Sequence, residues 1–214
     1  MGMIVTLGTE KGGSGKSTNA INLAVYLAHE GVDVTLLDAD PQATSAQFIE
    51  RRNELKILPK VHCSQRHGDV SATARDLAQR YQVVIIDAGG RDSRELRTAI
   101  AVSNLLLTPI RASQADLETL PHVNNMILAA RDLNKGLAAF ALLSMAPSNP
   151  VIKEVSLAKE LIAQFDQLQL AGTIIRDRKV YRDALAAGKG VVEMSNTQAR
   201  AEIQLLGQEF FDLA

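Results

Sequence analysis

The chain has 214 residues, of which 46% are hydrophobic and 22% are charged, and its formal net charge is −1. This composition predicts a single globular domain over residues 1–214, and the near-neutral charge excludes binding of DNA or anionic lipid through overall charge alone. The single cysteine, Cys63, excludes an internal disulfide and a four-cysteine metal site. No signal-peptide pattern opens the sequence, and no apolar run approaches the roughly 20 residues that span a bilayer. We therefore expect a cytoplasmic protein.

Apolar runs alternate with helical patterns along the chain, and short links join them. This alternation predicts an α/β fold in which helices cover both faces of a mostly parallel central sheet. The predicted strands are residues 4–7, 32–37, 83–86, 104–108, 139–144 and 172–175. The predicted helices are a segment after the first strand and residues 43–52, 72–79, 95–101, 115–133, 152–165 and 197–213. In the last helix we expect Ala201, Leu205, Leu206 and Phe210 to face inward.

A glycine-rich turn joins the first predicted strand to the first predicted helix, which is the context that a phosphate-binding loop requires. Its glycines let backbone N–H groups point inward around an anion, and the helix adds its unpaired N-terminal donors. Lys16 can reach the terminal phosphates of a nucleotide, and the Ser17 hydroxyl can ligate Mg²⁺. We therefore expect a three-layer P-loop NTPase fold. The predicted nucleotide-binding residues are Lys11, Gly12, Gly13, Ser14, Gly15, Lys16, Ser17 and Thr18.

The loop departs from the usual pattern G-x-x-x-x-G-K-[ST], because the first glycine would fall at Glu10. The sequence instead has Lys-Gly-Gly-x-Gly-Lys-Ser, with a second lysine at Lys11. This pattern resembles the deviant Walker A box of the ParA/MinD family of ATPases, in which the extra lysine is the signature. The resemblance covers essentially the whole chain, and it is to the small ParA type without an N-terminal DNA-binding domain.

The second predicted strand is followed by the turn Asp38-Ala39-Asp40-Pro41-Gln42. Because the carboxyl ends of parallel strands lie at one edge of a sheet, this turn should face the phosphate loop. Carboxylates there can hold Mg²⁺ or position an attacking water at the γ-phosphate. The turn resembles the switch I motif of ParA proteins, which implies that Asp38 supports the metal site and that Asp40 aligns the hydrolytic water.

The third predicted strand is an apolar run that ends in Asp87. A buried strand that presents a carboxylate at its C-terminal end is the Walker B arrangement, in which the carboxylate faces the Mg²⁺ shell. The following residues, Ala88-Gly89-Gly90-Arg91, suggest a flexible switch that senses the γ-phosphate. Many relatives have a proline in this turn, and this chain has none.

The densest basic stretch is residues 175–183. If residues 180–186 are helical, Arg178 and Arg182 lie four apart on one face, where they could bind DNA phosphates non-specifically. A solvated face that Asp177 and Asp183 partly neutralise is the alternative. The stretch also resembles the I-P-R-x-x-x-x-x-E-A-x-x-x-G block of ParA proteins, around which relatives place nucleotide-base and DNA contacts. The predicted DNA-binding residues are Arg178, Lys179, Arg182 and Lys189.

Four further features are less specific. Residues 108–109 resemble a family turn that precedes an interface helix, and residues 144–147 lie where relatives contact the adenine base. Arg91, Arg94 and Arg97 recur every three residues and could meet a partner or form a solvated face. The four histidines have no metal-ligand spacing.

The resemblance implies a weak ATPase with ATP and Mg²⁺ as cofactors, which forms a homodimer around ATP. Lys11 would cross the dimer interface to the partner's nucleotide, and the ATP-bound dimer would bind double-stranded DNA non-specifically. A ParB-like partner would stimulate hydrolysis, and the protein would segregate or position plasmid, chromosome or protein cargo over the nucleoid. The predicted catalytic residues are Lys11, Lys16 and Asp40, and the predicted metal-site residues are Ser17, Asp38 and Asp87.

Three alternatives have different requirements. A MinD-like membrane-associated ATPase would require a C-terminal amphipathic helix with a basic polar face, whereas the end of this chain is acidic. A metabolic P-loop enzyme would phosphorylate a small carboxylate without a partner protein, and Lys11 argues against this class. A nitrogenase-reductase-like protein would require paired cysteines for a bridging cluster, which the single Cys63 does not supply.

Overall fold

The computed structural model describes residues 1–90, 93–149 and 154–211. The strands are Met3–Leu7 (β1), Val34–Ala39 (β2), His62–Gln65 (β3), Val83–Ala88 (β4), Leu105–Ile110 (β5), Ala138–Leu143 (β6) and Gln169–Leu170 (β7). The helices are Lys16–His29 (α1), Thr44–Glu54 (α2), Ser71–Leu77 (α3), Arg94–Ile100 (α4), Gln114–Leu117 (α5), Leu120–Leu133 (α6), Glu154–Ile162 (α7), Lys179–Ala186 (α8) and Thr197–Phe210 (α9). These strands form one sheet in the order β3-β2-β4-β1-β5-β6-β7, and every described pair is parallel. The predicted α/β fold is therefore confirmed.

Apolar cores lie on both faces of the sheet, because successive residues of a strand point to opposite sides. Val5 and Leu7 of β1 pack with α1 and α2 on one face, whereas Ile4 packs with α3 on the other. Helices α4, α6 and α7 continue the second layer over β5 and β6, and α8 and α9 pack together near Tyr26 of α1. No helix in the described ranges is both long and apolar enough to cross a bilayer.

Two predictions at the edges of the sheet differ from the structure. The sequence pattern does not predict β3, because this short edge strand is polar and its side chains are partly or fully exposed. The predicted strand at residues 172–175 is wrong, since the last strand is β7. Beyond β7, the backbone N–H groups of Gly172 and Thr173 donate to the carboxylate of Glu209 at 2.6 and 2.9 Å, so they do not continue a ladder.

The predicted helix at residues 115–133 is divided into α5 and α6. After α5, the Thr119 hydroxyl donates to the backbone carbonyl of Asp116 at 2.7 Å. Pro121 then lies in the first turn of α6, where its missing N–H leaves no helical hydrogen bond unmade. The predicted helices at residues 152–165 and 197–213 extend partly outside the described residues.

The inward stripe predicted for the last helix is confirmed at Leu206 and Phe210 and is wrong at Ala201 and Leu205. Ala199, Ile203 and Leu206 are buried in α9, whereas Ala201 and Leu205 are exposed. The reason is a close approach at Gly207, where a β-carbon would lie 2.2 Å from Cε1 of Tyr26. Gly207 therefore lies against α1, and the buried residues of α9 are those on the same side of the helix.

A buried cation connects α2 to the segment that follows α8. Arg52 is fully buried, and its guanidinium donates to the Glu193 carboxylate at 2.7 and 2.8 Å and to the backbone carbonyls of Pro59 and Gly188. His29 Nε2 also lies 2.8 Å from Glu193. Burial raises the pKa of Glu193, but the hydrogen bonds from Arg52 and His29 outweigh burial and hold this pKa below its usual value.

We predict that Arg52→Met destabilises the protein by about 3 to 5 kcal/mol, because it breaks an ion pair whose cation is buried and leaves the partly buried Glu193 carboxylate without its main partner. The free energy of unfolding in urea measures this loss. The matched control is Arg51→Met, since Arg51 is exposed and its side chain donates to the Leu185 carbonyl at 3.0 Å rather than to a carboxylate. The control should lose less than about 1 kcal/mol. Equal losses in the two variants would contradict the structural role of Arg52.

Candidate functional site

The phosphate loop leaves β1 after Leu7 and enters α1 at Lys16. Gly13 and Gly15 have φ of 76° and 91°, in the left-handed region that disfavours a β-carbon. At Gly15 a β-carbon would also lie 2.8 Å from Ser144 Oγ. No side chain among the described residues caps α1, so its first backbone N–H groups can bind an anion. The loop therefore has the shape and the donors of a phosphate-binding nest.

The order of the strands places the predicted carboxylates beside this loop. Strand β4 lies between β1 and β2, and Asp87 is paired in register with Leu7 on one side and Asp38 on the other. The strands are parallel, so the turns that follow β1, β2 and β4 leave the same edge of the sheet.

The turn after β4 contacts both of the other turns. A β-carbon at Gly89 would lie 3.5 Å from Cδ of Pro41, and one at Gly90 would lie 3.4 Å from the backbone nitrogen of Gly12. Arg91, which follows in the predicted switch, lies outside the described residues. The turn after β4 therefore lies against both the phosphate loop and the turn after β2.

Asp38 organises the turn after β2. The side chain is buried, Oδ1 accepts from the backbone N–H of Asp40 at 3.1 Å, and Oδ2 accepts from that of Ala46 at 2.8 Å. Burial raises the pKa of Asp38, and these hydrogen bonds oppose the rise. Because both oxygens bind backbone, the carboxylate connects the D-x-D-P-Q turn to the start of α2.

Asp87 has a different environment. It is fully buried, and Oδ2 accepts from the Ser45 hydroxyl at 2.7 Å, whereas Oδ1 has no hydrogen-bond partner within the described ranges. Burial raises the pKa of Asp87 to about 7, and the Ser45 hydrogen bond, the nearby Ser17 hydroxyl and the charge of Lys16 oppose the rise. Carboxylate and hydroxyl oxygens are the ligands that Mg²⁺ and its bound waters prefer. The free oxygen of Asp87 beside Ser17 therefore fits a magnesium shell.

These turns enclose a cleft of about 900 Å³, which is large enough for a nucleoside triphosphate. Lys16 lies in it and is only 6% exposed, and the Ser14 hydroxyl is buried without a partner among the described residues. Asp40 lines the cleft, and its Oδ1 accepts from the backbone N–H of Gln42 at 2.9 Å. Gly12, Gly13, Gly15, Ser17 and Thr18 complete the loop side of the cleft.

Lys11 lies apart from Lys16 and points towards α5. Its Nζ is 3.9 Å from Oδ2 of Asp116, and its side chain is 40% exposed. An ion pair of this length and exposure is weak. Asp116 is otherwise held by the Ser113 hydroxyl at 2.7 Å.

Sequence reasoning did not identify Ser45, Arg111 or Asp116 as part of the site. Ser45 lies in the first turn of a helix, where a serine usually has a local role. Arg111 lies directly after β5, at the same sheet edge as the phosphate loop, and lines the cleft. The one signal for Arg111 was its position at the end of a central parallel strand.

The C-terminal block also reaches the phosphate loop. A second cavity of about 70 Å³ lies between the loop, the turn after β6 and the residues that precede α8. In it, Nδ2 of Asn19 donates to Ser144 Oγ at 3.0 Å. The structure therefore brings residues 144–145 and 175–178 to one side of the nucleotide cleft.

The predicted DNA-binding residues do not lie together on one helical face. Arg178 precedes α8, and its guanidinium donates to Glu202 and Gln198 of α9 at 2.9 and 2.7 Å. Two of the other three cations are exposed and paired on the surface: Lys179 with Asp183 at 2.9 Å, and Arg182 with Asp177 at 3.0 Å. Lys189 lies beyond the end of α8 and is partly exposed.

The amino-acid sequence matches a family model described as ATPase MipZ over residues 3–135. Protein ParA of Rhizobium radiobacter is 34% identical over 116 residues, which are 53% of this chain and 50% of that protein. The sporulation initiation inhibitor protein Soj of Bacillus subtilis is 31% identical over 137 residues, which are 62% of this chain and 44% of that protein. The chain thus spans about half the length of the curated relatives it matches.

Two solved structures are similar over the whole fold. An ATP complex of a Cyanothece McdA variant covers 100% of this chain with a TM-score of 0.80 at 16% sequence identity. The cell division ATPase MinD of Pyrococcus furiosus covers 100% with a TM-score of 0.75 at 17% identity. At this level of identity the likeness concerns the fold.

The match to the family model covers more than half of the chain and includes all three turns of the cleft, together with the two lysines of the loop. The relatives matched by sequence are ParA and Soj proteins. From the motifs, the geometry of the cleft and these matches together, we conclude that this chain belongs to the MipZ/ParA family of ATPases.

Proposed function

We propose that this protein is a ParA-type partition ATPase that binds Mg²⁺ and ATP, dimerises on ATP and hydrolyses it weakly until a ParB-like partner stimulates the reaction. The observation that carries the proposal is the convergence of three turns on one cleft, with the nest of the phosphate loop facing a buried carboxylate that has a free oxygen. That arrangement matches the requirements of phosphoryl transfer, which depends on positioning and on charge stabilisation.

Each side of the cleft has its own task in this proposal. The N–H groups of the loop and Lys16 bind the β- and γ-phosphates, and Ser17 and Asp87 hold the Mg²⁺ shell. The metal supplies positive charge to the phosphate oxygens. Asp38 keeps the turn after β2 in place through its two backbone hydrogen bonds, so it supports the metal side indirectly. Asp40 has a carboxylate at the cleft wall and orients the attacking water.

Lys11 acts at the dimer interface. In the single chain it is partly exposed, and its ion pair with Asp116 spans 3.9 Å. Such a pair contributes roughly 0–1 kcal/mol, so a phosphate oxygen on a partner's nucleotide can replace it. A triphosphate carries more charge for Lys11 to neutralise than a diphosphate, and the homodimer therefore depends on ATP.

The DNA track is the surface formed by Lys179, Arg182 and Lys189. Lys179 and Arg182 hold exposed ion pairs, which DNA phosphates can displace at low cost. Arg178 instead contacts α9 and supports the position of α8. In the proposed cycle the ATP-bound dimer lies on the nucleoid and hydrolysis releases it, which moves a plasmid, a chromosome region or a protein assembly.

The apolar residues of α9 bear on the membrane alternative. Ala199, Ile203 and Leu206 are part of the core near Tyr26 and Leu142. A helix that inserts into a lipid surface requires an apolar face free to do so. Because α9 uses this face inside the protein, we favour DNA over a membrane as the surface.

We predict that Lys16→Ala weakens binding of both ATP and ADP by roughly 10- to 100-fold, because it removes a charge-assisted phosphate contact. Lys11→Ala should leave the affinity for ADP within about threefold, since a role across the interface does not involve the chain's own nucleotide. Titration with fluorescent nucleotide analogues measures both affinities.

The same two variants also separate dimerisation from binding. Lys11→Ala should remain a monomer with ATP at saturation in light scattering and should not respond to an activating partner. If Lys11→Ala still forms an ATP-dependent dimer with normal hydrolysis, the proposed role of Lys11 is wrong.

We predict that DNA binding requires ATP and weakens with salt. The double variant Lys179→Ala/Arg182→Ala should reduce the magnitude of the slope of log association constant against log salt concentration by about 2. Fluorescence anisotropy with a labelled duplex of arbitrary sequence, with ATP, ADP or no nucleotide, gives these slopes. The matched control is Arg80→Ala, because Arg80 is also an exposed cation in a surface pair, with Asp76. An equal change in the control, or ATP-independent binding, would contradict the proposed track.

A further inference from the structure

Arg111 contacts a backbone carbonyl of the phosphate loop. It follows β5, and one of its terminal nitrogens, Nη2, donates to the backbone carbonyl of Gly13 and lies 3.3 Å from Sδ of Met145. Its Nε is buried and has no hydrogen-bond partner in the described part of the chain. The Gly13 carbonyl is therefore the main acceptor for this guanidinium.

The contact matters because of the planarity of the peptide bond. The carbonyl of Gly13 and the N–H of Ser14 belong to one trans peptide unit, so they point in opposite directions. When Arg111 holds the Gly13 carbonyl, the N–H of Ser14 is directed away from Arg111. Gly13 has φ of 76° and no β-carbon, so little else in its own backbone restricts this orientation.

The surroundings of Arg111 limit its movement. Met145, on the other side of the guanidinium, has φ of 51°, which is uncommon for a residue with a long side chain. A β-carbon at Gly13 would lie 3.3 Å from Nη2, and a β-carbon at Gly15 would lie 3.6 Å from Cγ of Met145. Arg111 thus lies between the phosphate loop and the turn after β6 and contacts both.

We propose that Arg111 is a positioning residue, which orients the Gly13–Ser14 peptide so that the Ser14 N–H is directed at the bound phosphates. The charge of the guanidinium also polarises this peptide and strengthens its N–H as a donor. The inference rests on the proposed binding of ATP in the cleft. It assigns a nucleotide-binding role to a residue outside the phosphate-loop motif.

The proposal predicts uniform loss of nucleotide affinity. The peptide N–H groups of the nest contact phosphates that ADP and ATP both have. Arg111→Met should therefore raise the dissociation constants of both nucleotides by a similar factor, roughly tenfold. In steady-state hydrolysis the KM for ATP should rise by that factor while kcat at saturation stays unchanged, since only uniform binding is lost.

The experiment compares Arg111→Met, Arg111→Lys and the surface control Arg80→Met by titration with fluorescent ADP and ATP analogues. Arg111→Lys keeps one charged donor and should recover a large part of the affinity. A thermal melt of each variant reports on the fold, and the comparison with Arg111→Lys keeps the test valid if Arg111→Met is unstable.

The outcomes are distinct. Equal weakening for ADP and ATP, with partial recovery in Arg111→Lys, supports the positioning role. Affinities within twofold of the wild type in both Arg111 variants overturn it and leave the proposed ATPase intact. A loss confined to ATP also overturns it, because it would mean direct contact with the γ-phosphate. A wild-type protein that binds neither nucleotide overturns the proposed function itself.

Discussion

The site depends on placing two carboxylates side by side inside a parallel sheet. Asp38 and Asp87 are in register on neighbouring strands, and both are fully buried. Burial of a carboxylate is costly unless hydrogen bonds or a cation offset it. At Asp38, backbone N–H groups of the following turn offset part of this cost, and at Asp87 the Ser45 hydroxyl does so. The oxygen of Asp87 that has no hydrogen-bond partner among the described residues is where the proposed Mg²⁺ and its waters would bind.

The turns of the cleft are held by contacts from outside the recognised motifs. Arg52 fixes α2, which follows the D-x-D-P-Q turn, to the segment after α8 through the Glu193 carboxylate. Arg111 connects the phosphate loop to the turn after β6. Because α2 and α8 are connected to one another and both lie near the cleft, a change in the turn after β2 can reach the proposed DNA surface.

The sequence predicted the sheet and the three turns because their signals are local. The loop, the D-x-D-P-Q turn and Asp87 each follow an apolar strand, and parallel strands bring such positions to one edge. The features that were missed depend on contacts between distant parts of the chain. Arg178 was assigned to a DNA face, yet its side chain is directed at Glu202 in α9. The phase of α9 depends on a close approach between Gly207 and Tyr26, which periodicity does not reveal.

The central claim is that the three turns form one nucleotide-dependent unit. Hydrogen exchange of the backbone amides, measured with Mg²⁺ and a non-hydrolysable ATP analogue, with ADP and without nucleotide, tests it most directly. The account predicts slower exchange in residues 8–18, 38–46 and 87–90 together when the ATP analogue is bound, and no change in Lys16→Ala. Unchanged exchange in all three segments of the wild-type protein, at nucleotide concentrations that saturate related ATPases, would contradict it.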